Sequence, residues 1–177
     1  MPHYHRLIIY FDGASRNNPQ GPAGCGWVIY EMNRSGANSD HIAEDCNYLG
    51  YDITSNQAEY EGLEAALQYM CNNDISCHGL YIRGDSQLVI NQVDGIYQVE
   101  SPNLTGYHGA VMGLIDNIDK TFVKCKHIDR SRNWEADQLA NKAINDAIAV
   151  SDSSSDTDNY SYQGYVDSNS SSDSDDY

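Results

Sequence analysis

The run Leu7-Ile8-Ile9-Tyr10-Phe11 closes on Asp12-Gly13-Ala14-Ser15. It restricts the possible folds more than any other stretch. An unbroken apolar run, β-branched and aromatic, predicts a strand buried on both faces of a sheet. A carboxylate on such a run costs free energy unless something ionic meets it. Taken alone, Asp12 reads as a strand end at the surface, where Gly, Ser, Asn and Pro begin a turn. Three further acids at the ends or first turns of elements, Glu59, Asp85 and Asp137, shift that balance.

Short glycine-rich links follow the first strand. Residues 13–24 form a turn-rich connection, Cys25 to Met32 a second strand, and His41 to Gly50 a third. Such links join antiparallel neighbours, because parallel ones need a crossover. Thr54-Ser55-Asn56-Gln57 supplies helix-capping chemistry, and Leu63, Ala66, Leu67 and Met70 follow at helical spacing. Glu59 falls on that inward stripe, whereas Glu61 and Glu64 read as solvated positions. Glu59 also suits the positive end of the helix dipole without any further role. Gly79 to Arg83 predicts a short strand, ended by Asp85, with a helix from Ser86 to Val93. The strand–helix–strand passage predicts a parallel pairing with the first strand. Asp12 and Asp85 then emerge side by side at carboxyl ends of adjacent strands, where ligand chemistry in open α/β sheets is found.

The remaining pattern gives a helix from Ser101, with Leu104, Tyr107, Val111, Leu114, Ile115 and Ile118 as its apolar face. A strand over Thr121–His127 and a final helix capped by Asn133 follow. Ala136, Leu139, Ala140, Ala143, Ile144 and Ala147 form that helix's stripe, with Asp137 at its edge. The order βββαβααβα predicts an α/β domain with a mixed five-stranded sheet.

Composition sets the domain boundary. Residues 151–177 hold seven Asp, ten Ser and four Tyr, and no Lys, Arg, Leu, Ile, Phe, Met or Trp. Such a segment buries too little apolar surface to offset its ordering entropy, which predicts a disordered acidic tail after a domain over residues 1–150. Of the net charge of −16, the tail carries −7 and the body −9. The five cysteines form no CxxC pair, and Cys71, Cys77 and His78 match no common zinc spacing. With no apolar leader or long apolar run, this predicts a reduced, soluble, intracellular protein, away from membranes and read as a monomer.

Four blocks now carry a resemblance: Asp12-Gly-Ala-Ser-Arg-Asn-Asn-Pro with Gly-Pro-Ala-Gly, Thr-Ser-Asn-Gln-Ala-Glu59-Tyr, Gly-Asp85-Ser-Gln-Leu-Val, and Asn133-Trp-Glu-Ala-Asp137-Gln-Leu-Ala-Asn. In this order they resemble the signature blocks of type 1 ribonuclease H, over essentially all of residues 6–145. The resemblance implies a ribonuclease H-like fold and endonucleolytic cleavage of the RNA strand of RNA/DNA hybrids. It places the family's four metal-binding carboxylates on Asp12, Glu59, Asp85 and Asp137.

Hydrolysing a phosphodiester needs an acidified water and a neutralised leaving oxyanion, and two divalent ions supply both. Mg²⁺, with Mn²⁺ as a substitute, suits carboxylate and phosphate oxygens. Asp12 is the expected bridging ligand, with Glu59 and Asp85 on one ion and Asp137 on the other. His127, ten residues before Asp137, resembles the family's proton-transfer or product-release histidine; an ordinary strand-end hydrogen bond accounts for it equally. Arg130 is the alternative phosphate contact. By resemblance Ser15, Asn18, Asn56 and Gln87 touch the hybrid, while turn formation and capping, the latter above all for Asn56, are their structural roles.

A body at −9 repels a polyanion. Lys120, Lys124, Lys126, Arg130 and Arg132 fall in one span, which reads either as a phosphate-binding face or as an edge strand kept soluble by lysines. The basic helical extension of longer relatives is absent from Val93–Asn103, no hybrid-binding module fits before residue 6, and Gln20 is one extra residue in the first turn. The tail reads as a solubilising extension, as an acidic mimic of nucleic acid, or as a phosphorylation target or protein-binding segment. Ser153, Ser155, Ser170 and Ser172 each precede an Asp by three residues. The alternative function is a non-catalytic module binding RNA/DNA hybrid or RNA on the same fold.

Overall fold

A computed structural model describes residues 2–154. Its strands are β1 (His3–Ser15), β2 (Ala23–Met32), β3 (Asn38–Gly50), β4 (Ser76–Gly84) and β5 (Lys120–His127). The helices are α1 (Ser55–Asn72), α2 (Gln87–Val93), α3 (Pro102–Asn117) and α4 (Trp134–Ser154), and a single 3₁₀ turn spans Arg130–Arg132. The order is the expected βββαβααβα. α4 runs past Val150, and the acidic segment from residue 155 on lies outside the described residues.

The sheet order is β3-β2-β1-β4-β5. β1 pairs antiparallel with β2 and parallel with β4, so Ile9 stands between Ile29 and Ile82. β1 is thus the central strand. Leu7, Ile8, Ile9 and Phe11 are all buried, as the uninterrupted apolar run requires. One face carries the main core, where Leu7, Ile9, Phe11, Leu80 and Ile82 meet Leu63, Leu67 and Met70 of α1 and Val111 and Ile115 of α3. α4 crosses the other face, packed on β1, β2 and β3.

Three local expectations are corrected. The cap of α1 is Thr54, not Asn56: Thr54 Oγ1 accepts from Gln57 N at 3.3 Å, and Gln57 Oε1 accepts from Thr54 N at 2.9 Å. That reciprocal box satisfies two of the helix's free N–H groups. Glu61 and Glu64 are half-buried rather than solvated, and desolvation pushes both carboxyls up. Asn133 sits at the start of α4, where its carbonyl accepts from Asp137 N at 3.0 Å. Its side chain, however, turns inward. The cysteines are free, and among the described residues no helix is long and apolar enough to cross a membrane.

Candidate active site

Asp12 lies near the end of β1, opposite Gly26 of β2. Glu59 lies in the second turn of α1, and Asp85 follows the last residue of β4. Ligand oxygens of the three lie within 4.8 Å of one another. Glycine makes this approach possible. A Cβ on Gly13 would fall 2.1 Å from Glu59 N, and one on Gly62 would fall 2.8 Å from the Asp12 carbonyl oxygen. α1 therefore rests on β1 backbone to backbone. Ser86 Oγ starts α2 by accepting from Val89 N, and Tyr60 Oη donates to Gln92 Oε1 at 2.8 Å, joining α1 to α2.

Asp12 is 3% exposed and Glu59 8%. Burial pushes the Asp12 carboxyl up to about 8, and the charges of Asp85 and Asp137 add to the shift while Arg130 opposes it. Glu59 is pushed well up by burial first, then by Asp12 and Asp85. Protons on Asp12 and Glu59 relieve the repulsion. Glu59 Oε2 is buried with no hydrogen-bond partner. Hard, closely spaced oxygens with an orphaned acceptor form the donor set of a divalent cation, so the residues fit a metal centre.

The structure brings three of the four expected acids into contact and sets the fourth beside them. Asp137, in the first turn of α4, forms an ion pair with Arg130, and its charge reaches Asp12. The Arg130 guanidinium is held more basic by Asp137, and it lowers Asp12 and Glu59. His127 is exposed, and its Nε2–H donates to the Asp85 carbonyl at 3.1 Å. Ser15 Oγ donates to the Ile53 carbonyl at 2.7 Å, and Asn18 Oδ1 accepts from Ser55 N at 3.0 Å. Both tie the first turn to the start of α1. Asn56 is exposed on a cleft of about 410 Å³ shared with Asn18, Thr54, Leu88 and Gln92, next to the carboxylates rather than on them. Gln87 is exposed at the first position of α2.

The basic span divides. Lys120 Nζ bonds the carbonyls of Ile115 and Ile118 at the end of α3, Arg130 joins Asp137, and Lys124 and Lys126 stand exposed on β5. Asn133 is the site residue whose role sequence reasoning missed. Its Nδ2 donates at 2.8 Å both to Asp85 Oδ1 and to the Phe11 carbonyl. The signal, an Asn four residues before an acid, is indistinguishable in sequence from a helix cap.

Residues 10–143 match the reverse transcriptase-like family. The chain is also 38% identical to the crystal structure of ribonuclease H1 from the halophilic archaeon Halobacterium salinarum, over 80% of this chain and 98% of that one, with a TM-score of 0.68. The chain belongs to the type 1 ribonuclease H family. A second member of that family, the compost-derived LC11 ribonuclease H1 solved in complex with an RNA/DNA hybrid, is 34% identical, with a TM-score of 0.70 over 80% of this chain and 99% of that one. The ribonuclease H domain here spans only part of its curated relatives. It covers 66% of the Halobacterium salinarum ribonuclease HI at 38% identity, and 37% of a bifunctional protein of Mycobacterium tuberculosis at 34%.

Proposed function

We propose that this protein hydrolyses the RNA strand of RNA/DNA hybrids endonucleolytically, with two Mg²⁺ ions, or Mn²⁺, held by Asp12, Glu59, Asp85 and Asp137. The observation that carries the proposal is the convergence of Asp12, Glu59 and Asp85 around a buried, unpartnered Glu59 oxygen. When bound, the ions would make a water more acidic and neutralise the leaving oxyanion. The protein's own groups do the rest. Asp12, pushed up to about 8 by burial, gives up its proton as cations enter. Asn133 holds one Asp85 oxygen in place, so the acid presents a fixed lone pair. Arg130, on the exposed side of Asp137, contacts a substrate phosphate, and His127, tied to the Asp85 carbonyl, stands at the rim for the departing product. Asn18 and Asn56 face the neighbouring cleft, where polar groups feel the 2′-hydroxyl across a minor groove; Gln87, exposed at the start of α2, is the further hybrid contact, and Ser15 holds the loop beside them.

The hybrid substrate is favoured by the LC11 relative, solved with an RNA/DNA hybrid. The test is cleavage of a hybrid labelled on either strand, with Mg²⁺ or Mn²⁺, beside Asp12→Asn. Cuts confined to the RNA strand and lost in the variant support the proposal. Binding without cleavage by either ion means a non-catalytic hybrid-binding module instead.

A further inference from the structure

α4 covers β1, β2 and β3 on its side of the sheet. On that side β4 and β5 carry no helix among the described residues. Strand register fixes what this bare face presents. Gly79 stands between Arg6 and Phe122, Tyr81 is paired with Lys124, and Arg83 stands between Tyr10 and Lys126. The Phe122 ring lies over Gly79, where an added Cβ would fall 2.5 Å from its Cζ. Tyr81 meets that ring edge-on at 5.8 Å, and Lys124 Nζ lies 5.4 Å from its centroid. Tyr10 packs edge-on against Tyr30, whose hydroxyl donates to Glu135 of α4, so these residues share α4's side of the sheet.

Arg6, Arg83, Lys124 and Lys126 therefore stand together beside two aromatic rings, in a chain with ten Lys and Arg and a net charge of −16. Among the described residues the ion pairs involve His41, Arg130 and Lys142, and none of these four. Edge-strand lysines that block aggregation account for Lys124 and Lys126. They do not account for Arg6 and Arg83, which lie on the inner strands β1 and β4. The row starts at the carboxylates: Arg83 is two residues before Asp85, and Lys126 precedes His127, whose ring holds the Asp85 carbonyl. From there it runs back along the strands for roughly 13 Å, four residues of β rise.

We propose that this bare face of β4 and β5 binds single-stranded RNA, the unpaired continuation of the strand being cut. The inference rests on the hybrid-cleavage reading. A charged track beside aromatic rings is how single strands are held without regard to sequence; here the rings are the half-buried Tyr81 and Phe122, and Lys124 and Lys126 stand exposed. A duplex is too stiff to turn from the carboxylates down the sheet, whereas an unpaired strand bends there freely. The cut strand is the one whose phosphate sits at Asp12 and Asp85, next to Arg83.

The test compares KM for a blunt RNA/DNA hybrid with KM for the same hybrid extended by single-stranded RNA, at either end of the RNA strand. It uses the full chain and Arg6→Glu/Lys124→Glu, and adds fluorescence anisotropy of the free RNA oligonucleotide. In the wild type an extension lowers KM about tenfold, a gain that shrinks with added salt. In the variant that gain and the binding of free RNA are lost, while kcat and KM on the blunt hybrid stay within about twofold. Tyr81→Ala, which leaves every charge in place, removes part of the gain. Equal KM values for blunt and extended hybrids in the wild type overturn the proposal, as does a gain that survives charge reversal or arises equally when the DNA strand, rather than the RNA strand, carries the single-stranded extension. If no hybrid is cut at all, the hybrid reading fails separately, and the anisotropy of free RNA decides the face by itself.

Discussion

The Asn133 side chain hydrogen-bonds Asp85 directly, with Nδ2 at 2.8 Å from Asp85 Oδ1, and the same amide group reaches the Phe11 carbonyl at the same distance. One buried amide thus ties the start of α4 to the end of β4 and to the strand that carries Asp12. It is a neutral donor in a cluster of acids, so it orients Asp85 without cancelling the charge a cation needs.

Asn133→Ala removes both bonds and leaves a buried carbonyl unpaired. The expected cost is about 1–3 kcal/mol of stability, read by denaturant unfolding. Loss of an outer partner of a metal ligand lowers metal affinity or activity by roughly 10–100-fold. Metal titration separates the two effects, because a purely structural role leaves the affinity of the folded variant unchanged.

The raised acids set a pH dependence of stability. Asp12 titrates near 3.8 when unfolded and at about 8 when folded, so the folded state holds the extra proton between those values. The stability from this proton is full below pH about 4 and is lost as pH rises through about 8. Metal-free Asp12→Asn, which cannot ionise, therefore melts higher than wild type above pH 8, by on the order of 5 °C. At pH 3 the two melt alike, and a wild type whose melting temperature is flat across this window contradicts the assignment.

Arg130 is the cation whose charge lowers both Asp12 and Glu59. Arg130→Ala lets both carboxyls rise further. Proton release on Mn²⁺ binding, followed by calorimetry in buffers of different ionisation enthalpy, then shifts to higher pH. Lys142→Ala, which breaks an exposed pair with Asp146, leaves that profile in place.

Glycine substitutions separate contact from conformation. Gly13→Ala drives a methyl group to 2.1 Å from Glu59 N and 2.2 Å from the Ala58 carbonyl carbon, backbone atoms that cannot rotate away. The expected loss is about 3 kcal/mol or more. Gly109→Ala, in the interior of α3 with nothing within 4 Å, gains roughly 0.5–1 kcal/mol. Chemical denaturation of both variants tests the contrast.

The element order, the place of β4 beside β1 and the meeting of Asp12 with Asp85 are legible in the sequence because each of these acids ends an apolar run, while the resemblance brings Glu59 to them. An acid on the buried stripe at Glu59 is unusual, although the helix dipole alone accommodates it, and the crossover rule puts Asp85 beside Asp12. What escapes is whatever depends on side-chain direction. Thr54, Asn56 and Asn133 all carry capping chemistry, and only backbone geometry tells that Thr54 closes α1 while Asn133 faces Asp85. Glu61 and Glu64 look solvated because nothing in α1 announces that α3 packs against it. The pairing of Arg130 with Asp137 depends on a 3₁₀ turn that has no hydrophobic period to betray it. That α4 passes over β1, β2 and β3 and, among the described residues, leaves β4 and β5 without a helix on its side follows from the path of α4, which local pattern does not encode.

The contacts of Gly13 and Gly62 with α1 and Asp12, and of Gly26 with Ala140 of α4, leave no side-chain padding between helix and strand at the carboxylates. The distance from Asp12 to Glu59 is thus a dimension of the main chain, indifferent to how the oily interior is filled. Trimming Leu67 or Met70 weakens the fold yet leaves the acids at their spacing in every molecule still folded. One added methyl at Gly13 alters that spacing first. Robustness and workmanship are written into different atoms of the same helix.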